Sequence, residues 1–151
     1  MEEAVEEQTA RSMGVHLRCE DGVLIVQASG VLTLDGMREL RSAIARAAQD
    51  ARAVVMDFRS AVWLLDGRAM AKFGAEAAVG SHKVDRPVAM IVSPMHRDST
   101  ARYCASASLN GLVRVAFTDA PSAYSWASRR APRRGRACCA VCAPVAAAGS
   151  K

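Results

Sequence analysis

Two acidic residues, Asp57 and Asp66, lie on either side of the segment of this sequence that could carry chemistry. Asp57 ends a nearly all-apolar run, and Asp66 precedes a stretch with helical spacing. Carboxylates in such positions can act as general acids or bases, cap a helix or pair with a neighbouring base. Asp57 is either a site residue at the carboxyl edge of a sheet or a local partner of Arg59 or Arg68, and we favour the local pair. For Asp66 we favour a helix N-cap over a catalytic acid.

The residues around these acids offer ways of binding a partner. Ser60 is the only hydroxyl between them, and we interpret it as a turn residue rather than as a phosphorylation site. Trp63 either roofs the core or, if it is exposed, anchors a protein interface. Gly67 either lets the backbone approach a ligand or partner closely, or is simply tolerated at a helix start.

Motifs for catalysis, cofactors and metals are missing from the sequence. No Walker, Gly-x-Ser-x-Gly or dinucleotide-binding loop follows a predicted strand. His16, His82 and His96 lack metal-ligand spacing, and the cluster at 138–142 has three thiols, whereas structural zinc wants about four ligands. We therefore expect no catalytic residue, no metal and no cofactor.

Strands alternate with helices to position this segment. The first two strands read as a β-hairpin, and each later strand is followed by a helix, so the sheet should be mixed and mainly parallel. The predicted elements are strands at 15–19, 23–28, 53–58, 87–92 and 113–117, and helices after Thr33, over 67–78, from Ser93 to Leu109 and after Asp119. The order is ββαβαβαβα.

Length and charge define one domain with two unlike ends. The 151 residues suit a single core. Residues 1–128 hold 14 basic and 15 acidic side chains, whereas 129–151 hold 6 basic and no acidic ones. We therefore predict an acidic flexible arm over 1–13, the domain over 14–128 and a disordered tail over 129–151. Because the excess positive charge belongs to the tail, a domain-wide face for specific nucleic-acid binding is not expected.

The termini and cysteines indicate a cytoplasmic protein. The start, MEEAVEEQ, lacks the basic residues and apolar run of a secretory signal. Five cysteines in an irregular arrangement favour reduced thiols. The longest apolar stretch, 137–148, is shorter than the roughly 20 residues that span a bilayer, so no membrane span is expected.

Three stretches resemble the STAS domain of bacterial anti-sigma-factor antagonists and sulfate transporters, most closely its SpoIIAA-like branch, sometimes called STAS/SEC14. They are VLIVQASGVLT, VVMDF and GLVRVAFTDAPSAYSWAS, and the likeness covers roughly 14–128. In the phosphorylated members of that family, a strand ending in Asp is followed by Asp-Ser-Ser-Gly at the next helix. Here Asp57 and Asp66 fit the two acids, but Gly67 stands where the first serine would be.

The resemblance implies a regulatory module that binds a protein partner, such as an anti-sigma factor or another regulator, without a serine switch. The predicted partner-binding residues are Asp57, Ser60, Trp63, Asp66, Gly67 and Arg68. The alternative, implied by the SEC14-like label, is a small-molecule or lipid-binding domain. Its pocket near Trp63 would be lined by Val62, Leu64 and Met70. The oligomeric state stays open.

Overall fold

The first two strands form the predicted hairpin. In the computed structural model, which describes residues 13–80 and 83–130, β1 (Met13–Glu20) pairs antiparallel with β2 (Val23–Leu32). The turn between them has positive φ at both Asp21 (49°) and Gly22 (85°), as a two-residue Asp-Gly turn with the strands' own twist requires.

Three parallel strands extend the sheet from β2. β3 (Ala53–Trp63), β4 (Val88–Ile91) and β5 (Arg114–Phe117) follow in chain order, so the sheet order is β1-β2-β3-β4-β5. Each of these strands lies parallel to the one before it. These observations confirm the predicted α/β fold class with the order ββαβαβαβα and a mixed, mainly parallel sheet.

Four α-helices connect and follow the strands, with a short 3-10 turn (Pro94–His96) before the third. They are α1 (Leu34–Ala47), α2 (Gly67–Glu76), α3 (Arg97–Leu109) and α4 (Ala120–Arg130). The cap predicted at Asp66 is confirmed, and Thr33 and Asp119 cap their helices in the same way. Thr33 Oγ1 accepts a hydrogen bond from Gly36 N at 3.0 Å, and the carboxylates of Asp66 and Asp119 accept from Ala69 N and Ser122 N at 2.8 Å.

The sheet separates two apolar cores. Successive side chains of a strand point to opposite faces, so Val54 and Met56 pack on the side of α1, α2 and α3, whereas Val55 packs on the side of α4. On that second side, Ala123 and Ala127 of α4 cover the amino-terminal parts of the strands. The carboxyl ends of β2 and β3 extend past this cover, where Gln27 and Ser60 are exposed.

β3 is longer than the apolar run that predicted it. The sequence pattern ended the strand at residue 58 and placed Ser60 to Trp63 in a loop, but β3 continues to Trp63. A β-bulge lies at the junction, because Gln27 pairs with Asp57 while Ser29 pairs with Ser60. Ser60 and Trp63 are therefore strand residues, and the interpretation of Ser60 as a turn residue is wrong.

The remaining boundaries differ little from the prediction, and both ends of the chain lie mostly outside the described residues. The predicted arm ends where β1 begins at Met13, and α4 continues through Arg130 into the predicted tail. His82 and the thiols at 138–142 lie outside the described residues. Cys104 is a free thiol, whereas Cys19 is disulfide-bonded, which contradicts the expectation of uniformly reduced cysteines.

Candidate functional site

Asp57 forms a two-pronged ion pair with Arg59. On β3, its Oδ2 accepts from Arg59 Nη2 at 2.8 Å, and its Oδ1 accepts from Arg59 Nε at 3.0 Å and from Arg59 N at 3.1 Å. Burial of the carboxyl favours its neutral form, but these hydrogen bonds outweigh burial, so the pKa of Asp57 lies below its usual value. The local pair with Arg59 is confirmed, and it leaves Asp57 a charged, anchored side chain.

An open groove crosses the carboxyl half of the sheet beside this ion pair. Asp57 and Ser60 of β3 line it together with Gln27 and Ser29 of β2 and His16 of β1, and its volume is about 410 Å³. These side chains lie on the face that α4 covers only in part. The structure therefore brings Asp57 and Ser60 together in a polar groove.

The start of α2 belongs to the opposite layer of the domain. Met70 and Phe73 of α2 pack into the core on the other face of the sheet, so Asp66, Gly67 and Arg68 do not share the groove's face with Asp57. Asp66 caps the helix, and Arg68 is exposed. The six predicted partner-binding residues thus fall into separate groups and do not form one patch.

Gly67 lies directly against an arginine that sequence reasoning missed. A Cβ built on Gly67 would lie 2.9 Å from Arg102 Cδ and 3.1 Å from Arg102 Nη1. Arg102 is on α3 and is itself exposed. No sequence signal pointed to it, because 35 residues of chain separate it from Gly67 and only the packing of α3 beside α2 brings the two together.

Trp63 is a core residue. Only 9% of it is exposed, and its ring stacks on His96 with the centroids 4.6 Å apart and the planes 10° apart. Phe58 meets it edge-on at 5.8 Å. Trp63 therefore covers the core, as the first of its two interpretations states, and is not an exposed interface residue.

The alternative pocket near Trp63 is not assembled. Val62 and Leu64 are 62% and 66% exposed, whereas Trp63 is buried and Met70 has no exposed surface. Val62 and Trp63 point to opposite faces of β3 because they are consecutive strand residues. These four side chains therefore do not line one cavity.

Metal-binding and membrane-spanning features were also sought in the described part of the chain. Within residues 13–80 and 83–130, no group of three or more His, Cys, Asp or Glu side chains is placed to hold a metal ion. Among the helices described above, none has the length and apolar character needed to cross a bilayer.

Comparison with known proteins gives matches only among solved structures. No protein-family model matches the chain, and no curated protein sequence does. The chain is similar to an anti-sigma factor antagonist from Mycobacterium paratuberculosis, with 18% sequence identity, a TM-score of 0.49 and coverage of 77% of this chain and 94% of that one. It is also similar to an uncharacterized protein of the DUF3478 family with a SpoIIAA-like fold from Shewanella loihica, with 18% identity, a TM-score of 0.47 and the same two coverages.

Proposed function

We propose that this chain is a non-catalytic, cytoplasmic regulatory module that binds a protein partner, such as an anti-sigma factor, without a serine phosphorylation switch. Its docking surface comprises Leu64, Asp66, Gly67, Arg68 and Arg102, at the beginning of α2. Three of the predicted partner-binding residues, Asp66, Gly67 and Arg68, contact the partner, whereas Trp63 is buried and does not. Asp57 and Ser60 lie outside the docking surface.

The approach of Arg102 to Gly67 is the observation that carries this proposal. In a phosphorylated relative the position after the loop Asp holds a serine, and a phosphate there adds about −1.5 to −2 charges. Here a guanidinium lies within 3.1 Å of the position that a residue-67 Cβ would take. A permanent positive charge on a flexible side chain therefore lies where the switch would add a negative one, so the surface keeps one charge state.

The charge and polarity of the docking surface define the partner that would fit. Arg68 and Arg102 are exposed at the amino-terminal end of α2, where the helix dipole is positive. Leu64 adds exposed apolar area on the segment that precedes α2. A partner with acidic side chains around an apolar contact would complement this surface, since charge complementarity steers association and apolar area supplies affinity.

Charge reversal at the docking surface tests the proposal. Affinity capture from the source cells would use the wild type, the double variant Arg68→Glu/Arg102→Glu and the control Arg46→Glu, which reverses an exposed charge at the end of α1. A protein retained by the wild type and the control but lost by the double variant would then be purified and its binding measured by calorimetry. We expect the double variant to weaken binding by about tenfold or more.

Two results would contradict the proposal. One is equal affinity of the purified partner for the wild type and for the double variant. The other is a fold change of similar size in Arg46→Glu, which would trace the effect to net charge rather than to the beginning of α2.

A further inference from the structure

A small cavity lies between α1, α2 and the sheet, away from the docking surface. Its lining is apolar apart from three polar side chains, Arg41 on α1, Tyr103 on α3 and Arg114 on β5. Its volume is about 20 Å³, which admits a group of roughly the size of one water, since about 10–15 Å³ is the minimum for a water. Two arginines beside so small an apolar space require a physical explanation.

Arg114 is a buried cation held only by neutral groups. It is 6% exposed, and its guanidinium donates to Arg86 O at 2.8 Å, to Val113 O at 3.0 Å, to Tyr103 Oη at 3.3 Å and to Val84 O. Among the described residues, the ion pairs within 4.0 Å do not include it. Carbonyl dipoles hold the side chain in place, but they do not neutralise its charge.

Arg41 presents unpaired donors to the same region. Its guanidinium lies over the Phe73 ring, 5.3 Å from the centroid, and Phe73 lines the cavity too. Arg41 Nε and Nη1 are shielded from solvent and have no hydrogen-bond partner among the described residues. Buried donors of native proteins are nearly always paired with protein, water or an ion, because an unpaired charged donor is costly.

We infer that this cavity is a binding site for a small monoanion, of halide or carboxylate-head size, that accepts hydrogen bonds from Arg41 Nε and Nη1 and balances the charges of Arg41 and Arg114. Arg41 is half-buried and feels the charge of the Glu76 carboxylate, but a water molecule in the cavity would satisfy its two donors and still leave the buried Arg114 without a counter-charge. A sulfate or phosphate ion is too large for the space. The site is independent of the proposed partner docking, which uses the other end of α2.

A salt exchange at constant ionic strength tests the inference on the full chain. Sodium gluconate, whose anion is too bulky for the cavity, is replaced stepwise by sodium chloride, and thermal unfolding is followed by circular dichroism. A ligand that binds the folded state raises the unfolding midpoint by mass action, and we expect chloride to raise it by about 3 °C. The same midpoint in both salts would overturn the inference and assign the cavity to water.

Matched variants connect the effect to the cavity. Arg41→Met removes the unpaired donors and should abolish the difference between chloride and gluconate, whereas Arg46→Met removes an exposed charge from the same helix and should preserve it. Persistence of the difference in Arg41→Met would overturn the site. Should Arg41→Met fail to fold, the ¹⁵N–¹H signal of Arg41 Nε in the wild type gives the result, since it must shift and saturate on chloride titration, and an unchanged signal contradicts binding.

Two small organic acids distinguish the sources of the anion. Formate and acetate are titrated in the same assay, each against gluconate. Binding of either acid about tenfold or more tighter than chloride would identify a carboxylate head, whereas chloride binding as tightly as both acids would identify an inorganic monoanion. Failure of all three anions to bind would overturn the site, while the partner-capture experiment would stand unaffected.

Discussion

Gly67 connects the docking surface to stability at the scale of a single residue. In Gly67→Ala the new Cβ would meet Arg102 Cδ at 2.9 Å, but this atom belongs to a flexible, exposed side chain that can move aside. An unfolded chain with alanine at this position also has less conformational entropy than one with glycine, so it loses less of it on folding. We therefore expect urea denaturation of Gly67→Ala to show a free energy of unfolding that is unchanged or higher by about 0.5 kcal/mol.

Partner affinity should respond differently to the same substitution. Because Gly67→Ala displaces the Arg102 guanidinium from the beginning of α2, calorimetry with the captured partner should show weaker binding despite the retained stability. A loss of more than about 1 kcal/mol in the free energy of unfolding would instead mean that Arg102 is fixed in place. That outcome would contradict the account of the docking surface as a mobile cation over a glycine.

Local chemistry explains which residues the sequence could predict. Thr33, Asp66 and Asp119 each bond a backbone N–H three residues ahead, and Asp57 bonds a side chain two residues ahead, so their partners lie within one turn or strand step. Arg102 was unpredictable, because its contact with Gly67 depends on how two helices pack. The contact of Arg41 with Phe73 on α2 was equally unpredictable, because a long side chain can bend across its own helix to reach a neighbouring one.

At the scale of elements, α2 and α3 approach each other closely at Gly74. A Cβ built there would lie 2.6 Å from the carbonyl oxygen of Tyr103 and 2.9 Å from Ser106 Cβ. These atoms belong to the backbone and base of α3, so they cannot move without shifting the helix. We expect Gly74→Ala to lower the free energy of unfolding by about 1–3 kcal/mol, measured by urea denaturation at neutral pH.

Gly67→Ala is the matched control for this prediction. It makes the same chemical change in the same helix but meets a flexible side chain instead of backbone. Similar stabilities of the two variants would show that α2 and α3 can separate at little cost. The close approach of these helices would then not be what fixes the position of Arg102.

The end of β3 shows why element boundaries were harder to predict than element order. Alternating strands and helices follow from local patterns of apolar residues, and all nine α-helices and strands of the prediction are present among the described residues. The extension of β3 through residues 60–63 depends instead on pairing with β2 beyond the bulge. That pairing is a long-range property, and neither the apolar run nor turn propensity contains it.

Over the whole molecule, three carboxylates give the fold a common dependence on pH. Hydrogen bonds from Arg38 hold the pKa of Glu76 below its usual value, with Arg38 Nη2 3.0 Å from Glu76 Oε1, and hydrogen bonds from Ser122 do the same for Asp119. For Asp57, burial opposes but does not overcome the bonds from Arg59. All three pKa values are thus lower in the folded than in the unfolded state.

The sign of the pH dependence follows from these directions. In the unfolded chain these carboxyl groups have a pKa of about 4. A carboxylate whose pKa is lower in the folded state stabilises the fold at pH values above this unfolded pKa, and the stabilisation is lost as the pH falls through the folded pKa. We therefore expect the free energy of unfolding, measured with urea from pH 6 to pH 2.5, to decrease below about pH 4.5. Asp57→Asn/Glu76→Gln should be less stable by about 1 kcal/mol at pH 6 and should converge with the wild type in acid.

A matched variant separates this linkage from general repulsion among positive charges. Asp85→Asn removes an exposed carboxylate whose side chain makes no hydrogen bond or ion pair with other described residues, so it should lose stability in parallel with the wild type at every pH. If the double variant also ran parallel to the wild type, the ion pairs of Asp57 and Glu76 would contribute nothing to the fold. Since Arg38 of α1 pairs with Glu76 of α2 and Arg59 pairs with Asp57 within β3, convergence in acid would instead show that the first ion pair holds two helices together and that the second stabilises β3 at its bulge.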